Sequence, residues 1–260
     1  MPSRALHAGN AACGTMNATA PRRPLSGLLF LLLMVLAGWA LWSGALRLPD
    51  AWNPWAPLRL DDPPNALSRY KLDRASADPQ LCRDALAQAG MEAAPLDDRV
   101  TGPGCGFDNA FRITRTSVAV GEAFALSCRA ALSLAMWERH ALQQAARRHL
   151  GSPVARIEHF GSYSCRNLYG REGGRRSQHA TADALDIAGF VLEDGRRIRV
   201  LGDWATSEAG EGSGLAPEAA FLRELRDGAC DWFDVVLGPD YNAAHADHFH
   251  LDRGRARICR

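Results

Sequence analysis

Neither sign of charge is in excess in this chain: 30 lysines and arginines face 29 aspartates and glutamates, for a formal net charge of +1. That balance argues against a strongly electrostatic partner such as nucleic acid, which a protein meets with a basic patch or stripe. Lysine is almost missing, Lys71 being the only one, and the arginines that carry the positive charge are spread along the sequence. No C-x-x-C spacing occurs among the 7 cysteines, which excludes a cysteine-rich structural zinc site. Internal repeats and low-complexity tracts are absent too, so a stacked-repeat architecture is excluded. With 260 residues, 47% of them hydrophobic, the chain suffices for one core and an appendage.

The longest apolar run is LSGLLFLLLMVLAGWALWSGAL, from Leu25 to Leu46. It carries no charge, and about 20 such residues suffice to cross a bilayer as a helix. Arg4, Arg22 and Arg23 precede it, so the positive-inside rule keeps residues 1–24 in the cytoplasm and exports the remainder of the chain. A retained anchor over 25–46 is the expectation, because the run is longer than a signal core and no clean A-x-A site comes after it; a cleaved signal peptide is the competing reading. Trp39, Trp42, Trp52 and Trp55 suit a belt at the outer membrane–water boundary. Cys13 falls on the cytoplasmic side, leaving six cysteines in the exported part, enough for three disulfides in an oxidising compartment. Spacing does not choose among the roughly 15 pairings that six cysteines allow.

Residues 47–77 are rich in Pro, Asp and Trp without a sustained period and read as a linker. Over 78–260 a domain is expected. A short helix runs from Asp78 to a stop at Gly90, TGPGCGF reads as a turn, and a strong helical period covers Gly121 to Gly151, with His140 and His149 at solvated positions. VARIEHFGSYS then reads as a strand, ALDIAGFVLEDGRRIRVLG as two strands joined by a Glu-Asp-Gly hairpin, Pro217 to Asp227 as a helix, and FDVVLG and DHFHLD as further strands. Strands joined by a hairpin, with helices grouped before them, predict an α+β domain whose antiparallel sheet has helices on one side.

Chemistry concentrates in two polar segments, SQHATADALD at Ser177–Asp186 and HADHFHLD at His245–Asp252, which hold four of the 8 histidines. A catalytic zinc takes three protein ligands and leaves one position for water. His179, Asp186 and His250 supply such a set, and His248 is a further imidazole close to that position. In an extended segment His248 and His250 share a face, while Phe249 points into packing. Asp186 joins them if a loop carrying His179 turns into a strand beginning near Ala184, with Leu185 and Ile187 facing the core.

The pattern S-x-H-(x)6-D followed by H-x-H resembles the lysostaphin, D-Ala-D-Ala metallopeptidase and sonic hedgehog superfamily. Within it, the segments IEHFGSYSCR, SQHATADALDI and HADHFHLD are most similar to the extensin-like C-terminal domain proteins of bacteria, over roughly Leu81 to Arg260. The resemblance implies zinc on His179, Asp186 and His250, with His248 as base or transition-state stabiliser. The nearby His245 joins the candidate catalytic set. Asp247 stands where the dipeptidase branch carries a Glu base; adjacent residues on a strand face opposite ways, so at most one of Asp247 and His248 reaches the metal-bound water, and His248 shares the face of His250. Arg166 aligns with an arginine that such relatives use near the substrate, where a guanidinium holds a carboxylate or an oxyanion; a structural ion pair is the alternative. Many members have a Gly where this chain has Ala182, so here the turn between the ligands must accommodate a Cβ.

The expectation is then a single-pass inner-membrane protein with a periplasmic zinc peptidase domain that hydrolyses an amide of peptidoglycan stems or cross-links. A non-catalytic, zinc-containing cell-wall binding module is the alternative, and a disulfide-stapled structural protein of the envelope a third reading. The sequence points to no regulatory partner. The basic loop residues Arg171, Arg175 and Arg176, just before the first ligand, suit either solvent or an anionic polymer.

Overall fold

The computed structural model describes residues 25–205 and 214–260. The expected cytoplasmic tail, with Arg4, Cys13, Arg22 and Arg23, lies outside the described residues. The chain divides after Leu48 into two units. In the first, the uncharged run forms helix α1, Leu25–Trp42. The helix is shorter than the expected span, because Ser43 and Gly44 turn the backbone, Gly44 at φ 73. At about 1.5 Å per residue α1 measures roughly 27 Å, and among the described residues no helix is long and apolar enough to cross a membrane.

The second unit begins at Pro49, and the expected linker, from its third residue on, is part of it. Leu58, Leu60, Leu72 and Ala75 are buried in the same core as the rest of the domain. The Pro-rich stretch stays in place because helix α2, Ser68–Ala77, supplies donors to its carbonyls. Lys71 Nζ donates to Asp50 O at 2.6 Å, and Arg74 donates to the carbonyls of Pro54, Trp55 and Ala56. Helix α3, Pro79–Leu86, starts as expected, with the Asp78 side chain accepting from the amides of Gln80 and Leu81 and Pro79 in the first turn.

Beyond α3 the chain builds a nine-stranded sheet. Strands β1 (Glu92–Leu96), β4 (Ala110–Arg115) and β5 (Ala119–Ser127) form one half, and β2 (Arg99–Gly102) pairs with β3 (Cys105–Phe107) in a separate hairpin. Strands β6 (Val154–Gly161), β7 (Ala184–Leu192), β8 (Arg197–Arg199), β9 (Val235–Leu237), β10 (Phe249–Asp252) and β11 (Ile258–Cys259) form the other half. The order is β1-β4-β5-β6-β7-β10-β9-β11, with β8 on β7. It is a mixed sheet and not the antiparallel one expected: β5 runs parallel to β6, and β9 to β11. The reason lies in the connection, since a chain that leaves β5 through a helical crossover returns parallel.

That crossover is helix α4 (Cys128–Trp137), a π-helical turn (Glu138–Leu142) and α5 (Gln143–Leu150). The helical period expected from Gly121 starts only at Cys128. Before it, buried Phe124 and Leu126 alternate with exposed Ala123 and half-buried Ala125 at period two and pair with Ile113 and Phe111 of β4. Ser127 ends the strand and caps α4, accepting from Ala130 N at 3.3 Å. The two helix histidines are not solvated as expected: His140 bonds the Leu60 carbonyl and stacks on Trp232, and His149 meets Glu224 at 2.7 Å.

Helices cover one face of the sheet. Leu185, Ile187, Phe190, Phe249 and Leu251 point into that core. A short turn, α6 (Val200–Asp203), leads off β8, and helix α7 (Pro217–Ala229) brings Phe221 edge-on against Phe190, with 5.3 Å between centroids. Trp137 of α4 is fully buried beside it and donates its indole N–H to Leu225 O at 3.0 Å. Three disulfides realise the even cysteine count: Cys82–Cys128 ties α3 to α4, Cys105–Cys165 ties β3 to the loop after β6, and Cys230–Cys259 ties the end of α7 to β11.

Candidate metal centre

On β7 and β10 the alternation that sends Leu185, Ile187, Phe249 and Leu251 into the core sends Asp186, His250 and Asp252 to the opposite face. The two strands are antiparallel neighbours, and the register sets His250 directly across from Asp186. Directly opposed residues lie about 4.5–5.5 Å apart at Cβ, so register alone brings two ligands together.

His179 arrives on a tight loop. Residues Gln178–Thr181 form one 3-10 turn, Ser177 accepting from the His179 amide at 3.4 Å. The turn closes at Ala182 in the left-handed region, φ 54 and ψ 27, with its carbonyl accepting from Ser127 N at 2.8 Å. The buried carboxylate of Asp183 locks the loop to the sheet and α4, accepting from Ser127 Oγ at 2.5 Å, Arg129 Nε at 2.6 Å and Thr181 Oγ1 at 2.6 Å. At Ala182 the turn accommodates a Cβ, as expected, by holding an alanine in the left-handed region, whereas the Asp183 hub was not foreseen from the sequence.

The three ligand atoms converge: His179 Nε2, an Asp186 oxygen and His250 Nδ1 all lie within 4.8 Å of one another. His179 Nε2 is 3.1 Å from His250 Nδ1 and from Asp186 Oδ2, and His250 Nδ1 is 2.8 Å from Asp186 Oδ1. A tetrahedral cation with bonds of about 2.0–2.1 Å needs ligand-to-ligand edges of about 3.3 Å, so the cluster is close to the size required. Both outer ring nitrogens are committed elsewhere. His179 Nδ1 donates to the Ser162 carbonyl, and His250 Nε2 donates to Asp252 Oδ2 at 2.9 Å. Such outer bonds fix tautomer and ring orientation in metal sites. Ser162 and Asp252 were missed in the sequence; Asp252 is legible afterwards as the residue two beyond His250 on the same strand face.

The electrostatics stem from burial and pairing. Burial opposes charge on Asp186, yet hydrogen bonds from His179 and His250 outweigh it and hold the carboxyl well below its usual range. Burial pulls His250 down, but its bonds to Asp186 and Asp252 push it up to about 9. A cation entering the cluster therefore competes with a proton on His250.

Asp186 and His250 face a cavity of ≈ 320 Å³. His248, just ahead of β10, lines it as expected, with Nε2 3.6 Å from Asp186 Oδ1. Asp247 points into a neighbouring cavity with Phe160, but its Oδ1 accepts from His248 Nδ1 at 2.8 Å. The pair is thus a carboxylate orienting an imidazole, with only the imidazole on the ligands' side. His245 is buried on the same wall, its Nδ1 donating to Asn242 Oδ1 at 2.8 Å. Burial, and then the charges of His250 and His248, press it down to about 4. Arg166 lines the cavity as well, and its guanidinium makes no ion pair among the described residues, against the structural-pair alternative. Tyr163 takes no part, bonding Thr101 and packing on Phe107. Tyr169 does line the cavity, in the left-handed region at φ 56, a conformation that bulky residues rarely adopt.

Among curated proteins and among solved structures nothing matches the chain significantly. The profile of the extensin-like protein C-terminus matches residues 80–260, a span that contains the three converging ligands, His245, His248 and Arg166. The chain therefore belongs to the extensin-like protein C-terminus family.

Proposed function

We propose that this protein is a zinc-dependent peptidase of the cell envelope that hydrolyses an amide of peptidoglycan peptide stems or cross-links. The observation that carries the reading is the convergence of His179 Nε2, Asp186 and His250 Nδ1 beside an open cavity into which His248 projects. Two imidazoles and one carboxylate, with both outer ring nitrogens held, are the donor set of a catalytic zinc rather than of a hard, oxygen-seeking cation. Bound there, zinc would lower the pKa of a water towards about 7 and polarise the carbonyl under attack.

The chain's own residues supply the rest. His248 Nε2 takes up a proton during attack and returns it to the leaving amine, and Asp247 holds the ring so that this nitrogen faces the cavity. Kept neutral by burial, His245 can donate or accept at the same wall. Arg166, with no carboxylate partner among the described residues, stabilises the oxyanion or grips a substrate carboxylate. The N-terminal apolar run holds the domain at the outer side of a membrane: in α1 every described side chain except Ala40 is exposed, which water disfavours and lipid does not. The three disulfides agree with an oxidising compartment.

The test is incubation of the zinc-loaded protein with isolated peptidoglycan, with and without a chelator, and then mass analysis of released fragments. Chelator-sensitive fragments that vanish with His248→Ala, while the zinc stays, support the reading. One bound zinc with no fragments under any condition would replace it with the binding-module alternative.

A further inference from the structure

Charge around the metal cavity is distributed unevenly. Across Ser177 lies a second cavity of ≈ 500 Å³, whose wall includes Arg129, Arg175, Arg176, Arg253 and Arg255 and, among the described residues, a single carboxylate, Asp183. Two of these guanidiniums are neutralised. Arg129 is bidentate on Asp183, at 2.6 and 2.5 Å, and Arg253 pairs with Asp73 at 2.8 Å and Asp234 at 3.4 Å. Asp183 also takes the hydroxyls of Ser127 and Thr181, so its capacity to accept is spent. Arg176 bonds only neutral acceptors, the Pro103 carbonyl and Asn167 Oδ1, and keeps its charge. Arg175 and Arg255 are exposed, with no side-chain partner among the described residues. A chain of net charge +1 thus gathers in one basin three guanidiniums that no carboxylate of the described residues neutralises. Arg175 and Ser177 line the metal cavity too, so the two spaces share a wall.

We propose that this basin is a subsite for the acidic part of a peptide substrate, with a substrate carboxylate between Arg175 and Arg255 while the amide lies beside His248. Planar guanidiniums suit carboxylates, and a fixed Arg176 behind two free arginines gives the basin its field. The shared wall favours a peptide carboxylate over a separate anionic polymer, because one occupant then reaches both spaces. Placement of the amide rests on the peptidase reading; binding in the basin does not.

The test uses the full chain in detergent, zinc-loaded, as wild type, as Arg175→Gln with Arg255→Gln, and as Arg147→Gln, an exposed arginine of α5 serving as control. The probes are a fluorescent tetraglutamate peptide, its tetraglutamine analogue and inorganic polyphosphate. Loss of two charge-assisted contacts should weaken tetraglutamate binding at least about 10-fold in the double variant, with zinc content unchanged and the control unaffected. Equal binding by wild type and double variant, equal binding of tetraglutamine, or binding of polyphosphate alone would overturn the subsite. If tetraglutamate binding depends on Arg175 and Arg255 but no peptidoglycan is cut, the peptidase reading falls and the basin stands. If peptidoglycan is cut equally well by the double variant, the basin falls alone.

Discussion

Strands β7 and β10 show two faces of the same backbone under different rules. On the core face Leu185, Ile187, Phe249 and Leu251 are held by packing, which depends on volume and spreads each residue's contribution over many neighbours. The cavity face, with Asp186, His250 and Asp252, is held by directed bonds: His250 bonds Asp186 through Nδ1 and Asp252 through Nε2. A substitution on the first face should therefore cost stability in proportion to volume. On the second it should cost metal binding and function.

The sharpest way to break this comparison is Asp186→Ala. It removes one of three ligands and leaves two imidazoles, so zinc measured by mass spectrometry after dialysis should fall from one per chain to none, with hydrolysis lost. Retention of a full zinc would show that the cluster is not the metal site. Phe249→Ala, one residue from a ligand but on the other face, should do the reverse. A fully buried aromatic replaced by a methyl costs about 3–5 kcal/mol, measured by urea denaturation, while the folded fraction keeps its zinc. Loss of metal at full stability would mean that the two faces are not separable.

A smaller effect sharpens the comparison within the cavity face itself. Asp252 touches no cation; it holds His250 Nε2. Asp252→Asn keeps the shape and removes the charge, so zinc affinity should drop about 10–100-fold, the usual loss for an outer partner. Competition with a chelator of known affinity measures it, and an unchanged affinity would reduce Asp252 to a packing group.

Much of the site was legible because it obeys short-range rules. The strand starting near Ala184, the shared face of His248 and His250, and the three ligands emerge from period-two alternation and donor chemistry. The features that stayed hidden needed tertiary information. The register that opposes His250 to Asp186 is set by pairing across 64 residues of sequence. Phe124 and Leu126 looked helical because an alternating strand runs straight into a helix and the two periods overlap there. Parallel pairing of β5 with β6 depends on where the crossover lands, which no local signal encodes. Pro49 to Ala77 lacks periodicity, yet it packs because Lys71 and Arg74 bond its carbonyls, and such donors give no sequence signature of their own.

Away from both faces, a buried carboxyl gives a pH-dependent counterpart. Glu138, in the π-helical turn, is pushed up from its ordinary value by burial, against the lowering effect of its bonds from Ser117 and Thr116. A group whose folded pKa is raised adds stability that is complete below the unfolded value and lost as pH rises through the folded one. Stability of the wild type relative to Glu138→Gln should therefore decline as pH rises above about 4.5, the ordinary glutamate value. Denaturation midpoints at a series of pH values would show this, and parallel profiles for the two proteins would mean that Glu138 titrates alike folded and unfolded.

The smallest expected effect tests how the loop between the two faces is held. Ala182 adopts φ 54 with its side chain fully buried, beside the hydrogen bond from Ser127 N. A non-glycine residue there costs about 1–2 kcal/mol. Ala182→Gly relieves that strain but forfeits a buried methyl worth about 0.8 kcal/mol and loosens the unfolded chain by about 0.4–1 kcal/mol. These terms nearly cancel, so stability should move by less than about 1 kcal/mol, and zinc affinity should stay within about twofold because Asp183, not the methyl, pins the loop. Ala182→Val places a β-branched side chain in the same conformation, where it is a genuine outlier, and should lose both stability and metal. If glycine alone weakened zinc binding tenfold, the methyl group would be shown to position His179, and the directed bonds of Asp183 would not suffice to hold the loop.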